Sequence, residues 1–303
     1  MMELTHLQQR LQELALDMDL RYFEPLREHT SFRIGGKAEV MAFPKNAEEL
    51  RKLLITSTVL DCKCVILGAG TNILAPDEGV SGIVICLKDA FHGIETLEGH
   101  RIRCMAGITM TKAAVFAANN NLTGMEFAHG IPGTVGGGVY MNAGAYVGEI
   151  GQICESVQVM DRQGNIRELN NQELDFSYRH SVLSNSDDII ISAVFRLLPG
   201  SETTIRSKMK DLMARRSASQ PLDMPSAGSA FKRPTGYYAA ALIDQAGLKG
   251  FRVGGAEISA KHAGFIVNYC NATAKEVKEL IQHVTDCVYK KFGVTLEPEI
   301  RIW

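Results

Sequence analysis

The feature that most constrains this fold is a cluster of glycines near the middle of the chain. Eight glycines lie from Gly130 to Gly151, in the stretch GIPGTVGGGVYMNAGAYVGEIG. A second glycine loop, GAGTN at 68–72, follows a short apolar run. Because small residues let consecutive backbone N–H groups approach an anion, the two loops predict a site that grips a pyrophosphate from two sides. The alternative is that the glycines serve tight turns and close helix–strand packing.

The loop at 68–72 does not complete a dinucleotide-binding fingerprint. It begins like G-x-G-x-x-G, but the third glycine is missing and a Pro-Asp-Glu-Gly turn follows where a helix is required. The sequence also contains no G-x-x-x-x-G-K-S/T, H-E-x-x-H or G-x-S-x-G motif and no EF-hand loop. These observations disfavour a Rossmann fold, a P-loop NTPase, a zincin and an ordinary α/β-hydrolase.

The charge balance indicates which classes of partner to expect. The 303 residues include 32 basic and 34 acidic side chains, which give a net charge of -2. Without a basic bias, we expect neither nucleic acid nor a membrane as a partner. No segment approaches the roughly 18 consecutive apolar residues that a membrane-spanning helix needs.

The N-terminus and the cysteines predict a cytoplasmic protein. The N-terminal segment lacks the basic start, apolar core and cleavage site of a signal peptide. It instead carries leucines at the spacing of a short amphipathic helix, namely Leu4, Leu7, Leu11 and Leu14. The seven cysteines form an odd set without a C-x-x-C pair, which argues against a disulfide framework and a zinc site. We therefore expect reduced, mostly buried thiols and no metal.

Helices and strands alternate along the chain, with hairpins among them. Capping residues and helical periodicity predict helices at the N-terminus and near 47–58, 110–119, 202–217, 238–245 and 274–292. Alternating or apolar runs predict strands near 38–44, 64–67, 83–87, 94–97, 101–105, 156–160, 165–169, 188–197, 251–258, 264–268 and 295–302. This mixture is typical of an α+β protein. Pro199-Gly200 interrupts the pattern, so we expect one domain over 1–199 and another over 200–303.

Three polar segments are candidates for chemistry, and each has an ordinary alternative. FSYRH at 176–180 places an arginine beside a tyrosine, although a surface arginine would look the same. SAGSAFKRP at 226–234 surrounds one serine with small residues and then two cations, as a plain loop also could. EPEIR at 297–301 puts three charged side chains on one face of a strand, which would also suit a solvated edge strand.

The order of these motifs identifies a resemblance. HTSFRIGG, ILGAGTNIL, GIPGTVGGGVYMNAGA, FSYRHS, PSAGSAFKRP and LEPEIR occur in turn from about residue 30 to the C-terminus. In this respect the chain resembles the UDP-N-acetylenolpyruvoylglucosamine reductase (UDP-N-acetylmuramate dehydrogenase) family of flavin enzymes. The resemblance implies a two-subdomain FAD-binding module of the vanillyl-alcohol oxidase and CO dehydrogenase type over 30–199, followed by an α+β substrate domain. It also implies the shorter branch of the family, in which a substrate-clamping tyrosine loop is missing.

The resemblance implies a reaction and its partners. A hydride would pass from NADPH to non-covalently bound FAD, and then to the enolpyruvyl ether of a UDP-sugar in peptidoglycan synthesis. Arg179 would stabilise the carboxylate and enolate oxygens, since its guanidinium is planar and permanently charged. Glu299 would polarise the enol as a neutral donor with a raised pKa, and Ser229 would protonate the carbanion. Three further residues would contact substrate: Tyr178, Lys232 and Arg301.

The same resemblance turns the glycine loops into a cradle for the FAD pyrophosphate. The implied cofactor contacts are Arg33, Ile34, Gly35, Gly68, Ala69, Gly70, Thr71, Asn72, Leu74, Gly130, Ile131, Pro132, Gly133, Gly136, Gly137, Asn142, Ala143 and Gly144. His29 and His129 lie near these loops, but the family binds FAD without a covalent link. Arg233 departs from the common FKNP pattern, so the role of an asparagine there does not carry over.

Two other functions remain open from the sequence. One is a flavin oxidase of the same superfamily, which would release peroxide and ignore a UDP-sugar. The other is a nucleotide-binding module without turnover. We expect a monomer, with a dimer as the alternative.

Overall fold

The computed structural model describes residues 4–14, 16–88 and 90–303. The helices of this part of the chain are α1 (His6–Glu13), α2 (Ala47–Val59), α3 (Met110–Asn119), α4 (Val135–Tyr140), α5 (Glu202–Ser219), α6 (Ala239–Gln245) and α7 (Ala274–Phe292). Short 3₁₀ turns cover Leu26–Glu28, Glu126–Ala128, Ile150–Gln152 and Val182–Asn185. None of the helices in the described ranges is long and apolar enough to cross a membrane.

The strands of the described chain alternate with these helices. They are β1 (Asp19–Pro25), β2 (Lys37–Phe43), β3 (Cys64–Leu67), β4 (Ile73–Leu74), β5 (Val80–Cys86), β6 (Ile94–Leu97), β7 (Arg101–Met105), β8 (Leu122–Thr123), β9 (Gly144–Ala145), β10 (Gly148–Glu149), β11 (Cys154–Met160), β12 (Ile166–Asn170), β13 (Ile189–Arg196), β14 (Leu198–Pro199), β15 (Ser226–Ser229), β16 (Arg252–Val253), β17 (Ala256–Ile258), β18 (Phe265–Asn268) and β19 (Arg301–Ile302).

The chain forms two compact units, and each is assembled from separate stretches. Unit one contains the chain up to Glu24, Glu39–Ala69 and Ser81–Ala214. Unit two contains Pro25–Ala38, Gly70–Val80 and Arg215–Trp303. The predicted division into 1–199 and 200–303 differs from these units, because Pro25–Ala38 and Gly70–Val80 belong to unit two. The assignment of cofactor binding to 1–199 and of substrate binding to 200–303 stays a prediction.

Unit one is built on two sheets. A four-stranded sheet has the order β1-β2-β5-β3, in which β3 and β5 run parallel. A five-stranded antiparallel sheet has the order β12-β11-β13-β7-β6. β13 is buried along most of its length, since it lies in the middle of its sheet. The core between these elements includes Phe91, Phe195 and Leu54, each 0% exposed.

Unit two packs α6 and α7 with the antiparallel sheet β15-β18-β17-β16. Thr273 begins α7 with a capping box that includes Glu276, and Gly293 ends it in the left-handed conformation at φ 68°. One apolar face of the helix is buried, as its 3.6-residue spacing predicts. The α7 bounds and both of its caps were readable from the sequence.

Two long strands predicted in unit two are interrupted in the structure. The run predicted at 251–258 is the hairpin β16–β17, because Gly254 turns the chain at φ 53°. The run predicted at 295–302 is regular only in β19, which pairs in parallel with β4. Upstream of β19, Pro298 makes an isolated bridge to Phe231. Backbone pairing with two different partners therefore replaces one continuous strand.

Candidate active site

In unit one, the two glycine loops lie side by side. A Cβ added at Gly68 would lie 2.6 Å from the hydroxyl oxygen of Thr134, so only glycine allows this approach. Thr134 also caps α4, because its Oγ1 accepts a hydrogen bond from the Gly137 amide. α4 was not among the predicted helices, since glycine is a poor helix former. The glycine cluster at 130–151 thus contains a short capped helix next to Gly68 of the loop at 68–72.

Part of the glycine cluster serves close packing instead of ligand binding. A Cβ at Gly138 would meet the Met110 sulfur at 2.8 Å, and one at Gly148 would meet the Phe127 ring at 2.4 Å. By contrast, a Cβ at Gly137 would meet nothing closer than 3.6 Å, and this residue is exposed. Close packing therefore explains Gly138 and Gly148 but not Gly137, and the ligand-binding interpretation stays a prediction.

In unit two, residues 70–72 of the loop at 68–72 are fixed by close backbone contacts. Gly70 has φ 62°, and a Cβ there would lie 2.2 Å from the His29 carbonyl oxygen. The Ser31 amide donates a 3.1 Å hydrogen bond to the Gly70 carbonyl. The Asn72 side-chain amide donates to the Glu299 carbonyl at 3.1 Å, and the Arg301 amide donates to the Asn72 carbonyl at 2.9 Å.

The structure contains features that fit the diphosphate implied by the resemblance. Gly137 is exposed, and no atom of the described residues lies closer than 3.6 Å to a Cβ placed there, whereas the Cβ position of Gly68 is taken by the Thr134 hydroxyl. Nδ1 of His129 is buried and has no hydrogen-bond partner among the described residues. Burial lowers the pKa of His129, which favours the neutral ring, and a neutral imidazole can offer a donor or an acceptor to a ligand. Sequence reasoning had considered His129 only for a covalent link.

Two predicted cofactor residues have side chains in the core of unit two. Ile34 is 2% exposed and Leu74 is 0% exposed, so only their backbone groups could meet a ligand. Between the buried Phe32 and Ile34, the exposed Arg33 adopts φ 55°. A Cβ at Gly35 would lie 2.6 Å from the Ala75 Cβ, which explains why position 35 is a glycine.

Arg179 occupies the corner of a tight turn in unit one. Ser177 and His180 exchange two backbone hydrogen bonds of 3.1 Å, with Tyr178 and Arg179 between them. Arg179 has φ 56°, at a turn position where glycine is usual. Its guanidinium donates to the Gly144 carbonyl at 3.3 Å and lies 5.0 Å from the Tyr178 ring centre. The half-exposed Tyr178 and the strained Arg179 are therefore the two central residues of one hydrogen-bonded turn.

The structure brings Ser229 and Glu299 together in unit two. Ser229 ends β15 and pairs with Phe265, directly after Gly228 in the left-handed conformation at φ 77°. The Glu299 amide donates to the Ala230 carbonyl at 2.9 Å, so the two segments lie in adjacent backbone runs. Both side chains are partly exposed. The predicted acid and its predicted polarising carboxylate therefore belong to hydrogen-bonded backbone segments of unit two, whereas Arg179 belongs to unit one.

Two cations of the segment 226–234, Lys232 and Arg233, have side-chain partners within unit two. The Lys232 ammonium forms an ion pair of 2.5 Å with Glu297, and its side chain is 30% exposed. The Arg233 guanidinium lies 4.4 Å from the centre of the exposed Tyr238 ring. Arg301 is exposed at the start of β19. Among the described residues, no group of three or more histidine, cysteine or acidic side chains could hold a metal ion.

Comparisons with known proteins identify both halves of the chain. Residues 38–170 match a family model for an FAD binding domain, and residues 220–303 match the model for the C-terminal domain of UDP-N-acetylenolpyruvoylglucosamine reductase. The chain is 46% identical to the UDP-N-acetylenolpyruvoylglucosamine reductase of Caldanaerobacter subterraneus, over 97% of this chain and 96% of that protein. The enzyme of the same name from Pediococcus pentosaceus is 44% identical, over 92% of each chain.

Solved structures confirm the predicted fold class. The crystal structure of UDP-N-acetylenolpyruvylglucosamine reductase from Thermus caldophilus superimposes with a TM-score of 0.80 at 35% identity, over 94% of this chain and 98% of that one. The 6-hydroxy-D-nicotine oxidase of Arthrobacter nicotinovorans shares the fold at 15% identity and a TM-score of 0.50, over 61% of this chain and 43% of its own. Family models, relatives and structure agree that the chain is a member of the UDP-N-acetylenolpyruvoylglucosamine reductase family.

Proposed function

We propose that this chain reduces UDP-N-acetylglucosamine enolpyruvate to UDP-N-acetylmuramate in peptidoglycan synthesis, with NADPH as the reductant. The observation that carries this proposal is the pairing of the Ser229 and Glu299 segments within the matched C-terminal domain. That pairing joins the backbone segments that carry the proposed proton donor and the proposed polarising carboxyl group, and a positioned acid is what protonation of carbon requires.

The protein is an FAD-dependent oxidoreductase, and its FAD, when bound, carries a hydride from NADPH to the enolpyruvyl double bond. Following the resemblance, we assign the diphosphate contacts to residues 68–72 and 130–133. In both loops the contacts would be backbone N–H groups, which bind phosphate oxygens without a charged side chain.

We assign Arg179 the role of binding the substrate carboxylate. Hydride addition leaves negative charge that spreads from the carbon to the carboxylate oxygens, and a fixed guanidinium stabilises that charge as it develops. The turn at 177–180 suits this role because the two backbone hydrogen bonds between Ser177 and His180 restrict its conformation before substrate binds. Tyr178 packs on the guanidinium and would contact the substrate next to it.

We assign Ser229 the delivery of a proton to the carbanion and Glu299 the polarisation of the enol. A serine hydroxyl is a weak acid, so positive charge nearby must ease its loss of a proton. Lys232 and Arg301 lie on the same two segments, and both would face the substrate. For Lys232, the anionic substrate would have to compete with Glu297, its present ion-pair partner.

We propose that the enzyme works in the cytoplasm, as a monomer, and that cell shape and division depend on its product. All seven cysteines are free, as is usual in a reducing compartment. Cys104 and Cys154 are buried, which raises the pKa of each thiol to about 12 and keeps it unreactive. Three of the seven cysteines are buried, three are half-buried and Cys270 is exposed, so the thiols are less buried than expected.

Anaerobic stopped-flow spectroscopy at the flavin absorbance band tests the proposed function. NADPH should bleach the bound flavin, and the UDP-sugar enolpyruvyl ether should then restore its colour. Glu299→Gln should slow the second step far more than it weakens FAD binding. A reduced flavin that ignores the UDP-sugar and reacts rapidly with oxygen to release peroxide would show an oxidase instead.

A further inference from the structure

We propose that Asn142 is a positioning residue that holds the Arg179 turn in place, and that its side chain makes no contact with the flavin. The inference rests on the proposed function, because it concerns the residue that we assign to the substrate carboxylate. It changes the role expected for Asn142, which the resemblance had placed among the cofactor contacts.

The side chain of Asn142 is engaged on both sides by backbone. Its Nδ2 donates to the Ser177 carbonyl at 2.9 Å, and its Oδ1 accepts from the Gly151 amide at 2.8 Å. The residue is 0% exposed, so the side chain has no surface left for a ligand. A buried amide whose donor and acceptor are both satisfied is costly to replace.

The bond to Ser177 reaches the base of the Arg179 turn. Ser177 is the residue whose carbonyl also accepts from the His180 amide, which closes the turn. Arg179 itself has φ 56°, a conformation that persists only where surrounding contacts impose it. Asn142 supplies such a contact from the end of α4, across 35 residues of sequence.

The same stretch of chain also holds the guanidinium. Gly144, two residues after Asn142, accepts from Nη2 of Arg179 at 3.3 Å. The Ala143 amide donates to Gly138 and the Ala143 carbonyl accepts from Ile150, so this stretch is itself fixed. The Asn142 side chain orients the backbone of the turn, and the Gly144 carbonyl orients the Arg179 guanidinium.

The backbone of Asn142 offers a clean substitution. Its φ of 42° lies in the left-handed region, which glycine adopts without strain. Asn142→Gly therefore removes both side-chain bonds and keeps the backbone conformation. Asn142→Asp keeps an acceptor for the Gly151 amide but sets a carboxylate oxygen against the Ser177 carbonyl, so it breaks only the bond to the turn.

Asn171 provides a matched control. Its Nδ2 donates to the Gly151 carbonyl at 2.9 Å and to the Cys154 carbonyl at 2.7 Å, so it also ties backbone segments together near Gly151. These bonds do not reach the turn. Asn171→Ala should leave both half-reactions close to wild type.

The test measures FAD affinity and the two half-reactions in each variant. Both Asn142 variants should bind FAD and accept a hydride from NADPH like wild type, while reoxidation by the UDP-sugar slows about 10–100-fold, as a misplacement of about 1 Å can cause. In an Arg179→Ala background, Asn142→Gly should add no further loss, because its effect passes through Arg179. FAD affinity lowered tenfold or more, or equal losses in both half-reactions, would overturn the proposal.

Hydrogen exchange separates this inference from the proposed function. If wild-type enzyme does not respond to the UDP-sugar, the proposed function fails, and exchange at the Ser177 and His180 amides decides the positioning role. Faster exchange of these amides in both Asn142 variants, with Asn171→Ala unchanged, would support it. Unchanged exchange in either Asn142 variant would overturn it.

Discussion

Left-handed backbone at individual residues marks where the fold stores strain. Six of the described non-glycine residues with φ above zero are Asn, Asp or His, which tolerate this region. The others are Phe23, Arg33, Tyr146 and Arg179. Arg33 and Arg179 are in segments that the resemblance assigns to cofactor and substrate, and Tyr146 lies within the glycine cluster. Since such strain costs roughly 1–3 kcal/mol per residue, its location near predicted contacts supports a functional role.

At the residue scale, Ser229→Ala tests the proton donor. The flavin should be reduced by NADPH at nearly the wild-type rate, because this step needs no proton from Ser229. Reoxidation by the UDP-sugar should slow by about 10²–10⁴-fold, the usual value of a general acid. Stopped-flow measurement of each half-reaction checks the result, with Ser226→Ala in the same strand as the control. Equal slowing of both half-reactions would contradict the assignment.

His262 should make folding stability depend on pH. Burial lowers its pKa from the ordinary 6.5, and its Nδ1 accepts a 3.1 Å hydrogen bond from the Gly264 amide. The unfolded chain then binds a proton more readily than the folded one, so stability falls as the pH drops below 6.5. His262→Asn keeps an acceptor that does not titrate.

Urea unfolding at about pH 7.5 and about pH 5 measures this difference. Wild type should lose more of its unfolding free energy between the two pH values than His262→Asn does. The other histidine with a lowered pKa, His129, is present in both proteins and cancels from the comparison. An identical loss in the two proteins would show that His262 contributes nothing in this range.

At the scale of elements, the glycine loop at 68–72 depends on close approach as well as on conformation. Gly70 and Gly236 both have positive φ, 62° and 78°, but only Gly70 would bring a Cβ within 2.2 Å of backbone. Gly236→Ala should therefore cost about 1 kcal/mol of unfolding free energy, from strain alone. Gly70→Ala should cost at least about 3 kcal/mol and weaken FAD binding, because backbone must move.

Chemical unfolding and FAD titration of the two alanine variants provide the comparison. The Gly236 variant should bind FAD with wild-type affinity, since nothing lies within 4 Å of its new methyl group. Equal stability losses in the two variants would mean that conformation alone, and not the contact with His29, selects glycine at Gly70.

Elements with a regular pattern were predictable, and those defined by distant partners were not. The bounds of α7 follow from its caps and apolar face, both of which are local. α4 could not be predicted, because tertiary contacts such as Gly138 on Met110 override the low helix propensity of glycine. Strand β1 was missed for a similar reason, since its pairing with β2 is not visible in its own sequence.

The candidate site follows the same rule. Its residue types were predictable because Arg179, Ser229 and Glu299 stand within short motifs. The proximity of the Ser229 and Glu299 segments was not, since it depends on a backbone bond between positions 230 and 299. The role of Asn142 was equally hidden, because its amide bonds to Ser177, which lies far along the chain.

At the scale of the whole molecule, unit two is built from three separate stretches of chain. Its core includes Phe32 and Leu74, each 0% exposed, and Ile34 at 2%. Two of these side chains flank Arg33, and the third lies in β4 beside β19. The segments around Arg33 and β4, which are among those assigned to the cofactor, are thus anchored in the core of the unit that carries Ser229 and Glu299.

This discontinuous core predicts that residues 200–303 will not fold as an isolated fragment. The fragment lacks Phe32, Ile34 and Leu74, and fully burying each such side chain contributes about 1.5–3 kcal/mol. The combined loss is comparable to the whole stability of an ordinary domain, roughly 5–15 kcal/mol. Circular dichroism and amide NMR of the fragment should show no cooperative thermal transition and poorly dispersed signals, whereas the full chain unfolds cooperatively. A fragment with dispersed signals and a sharp transition would show that 200–303 folds on its own, and that Pro25–Ala38 and Gly70–Val80 are not needed for its stability.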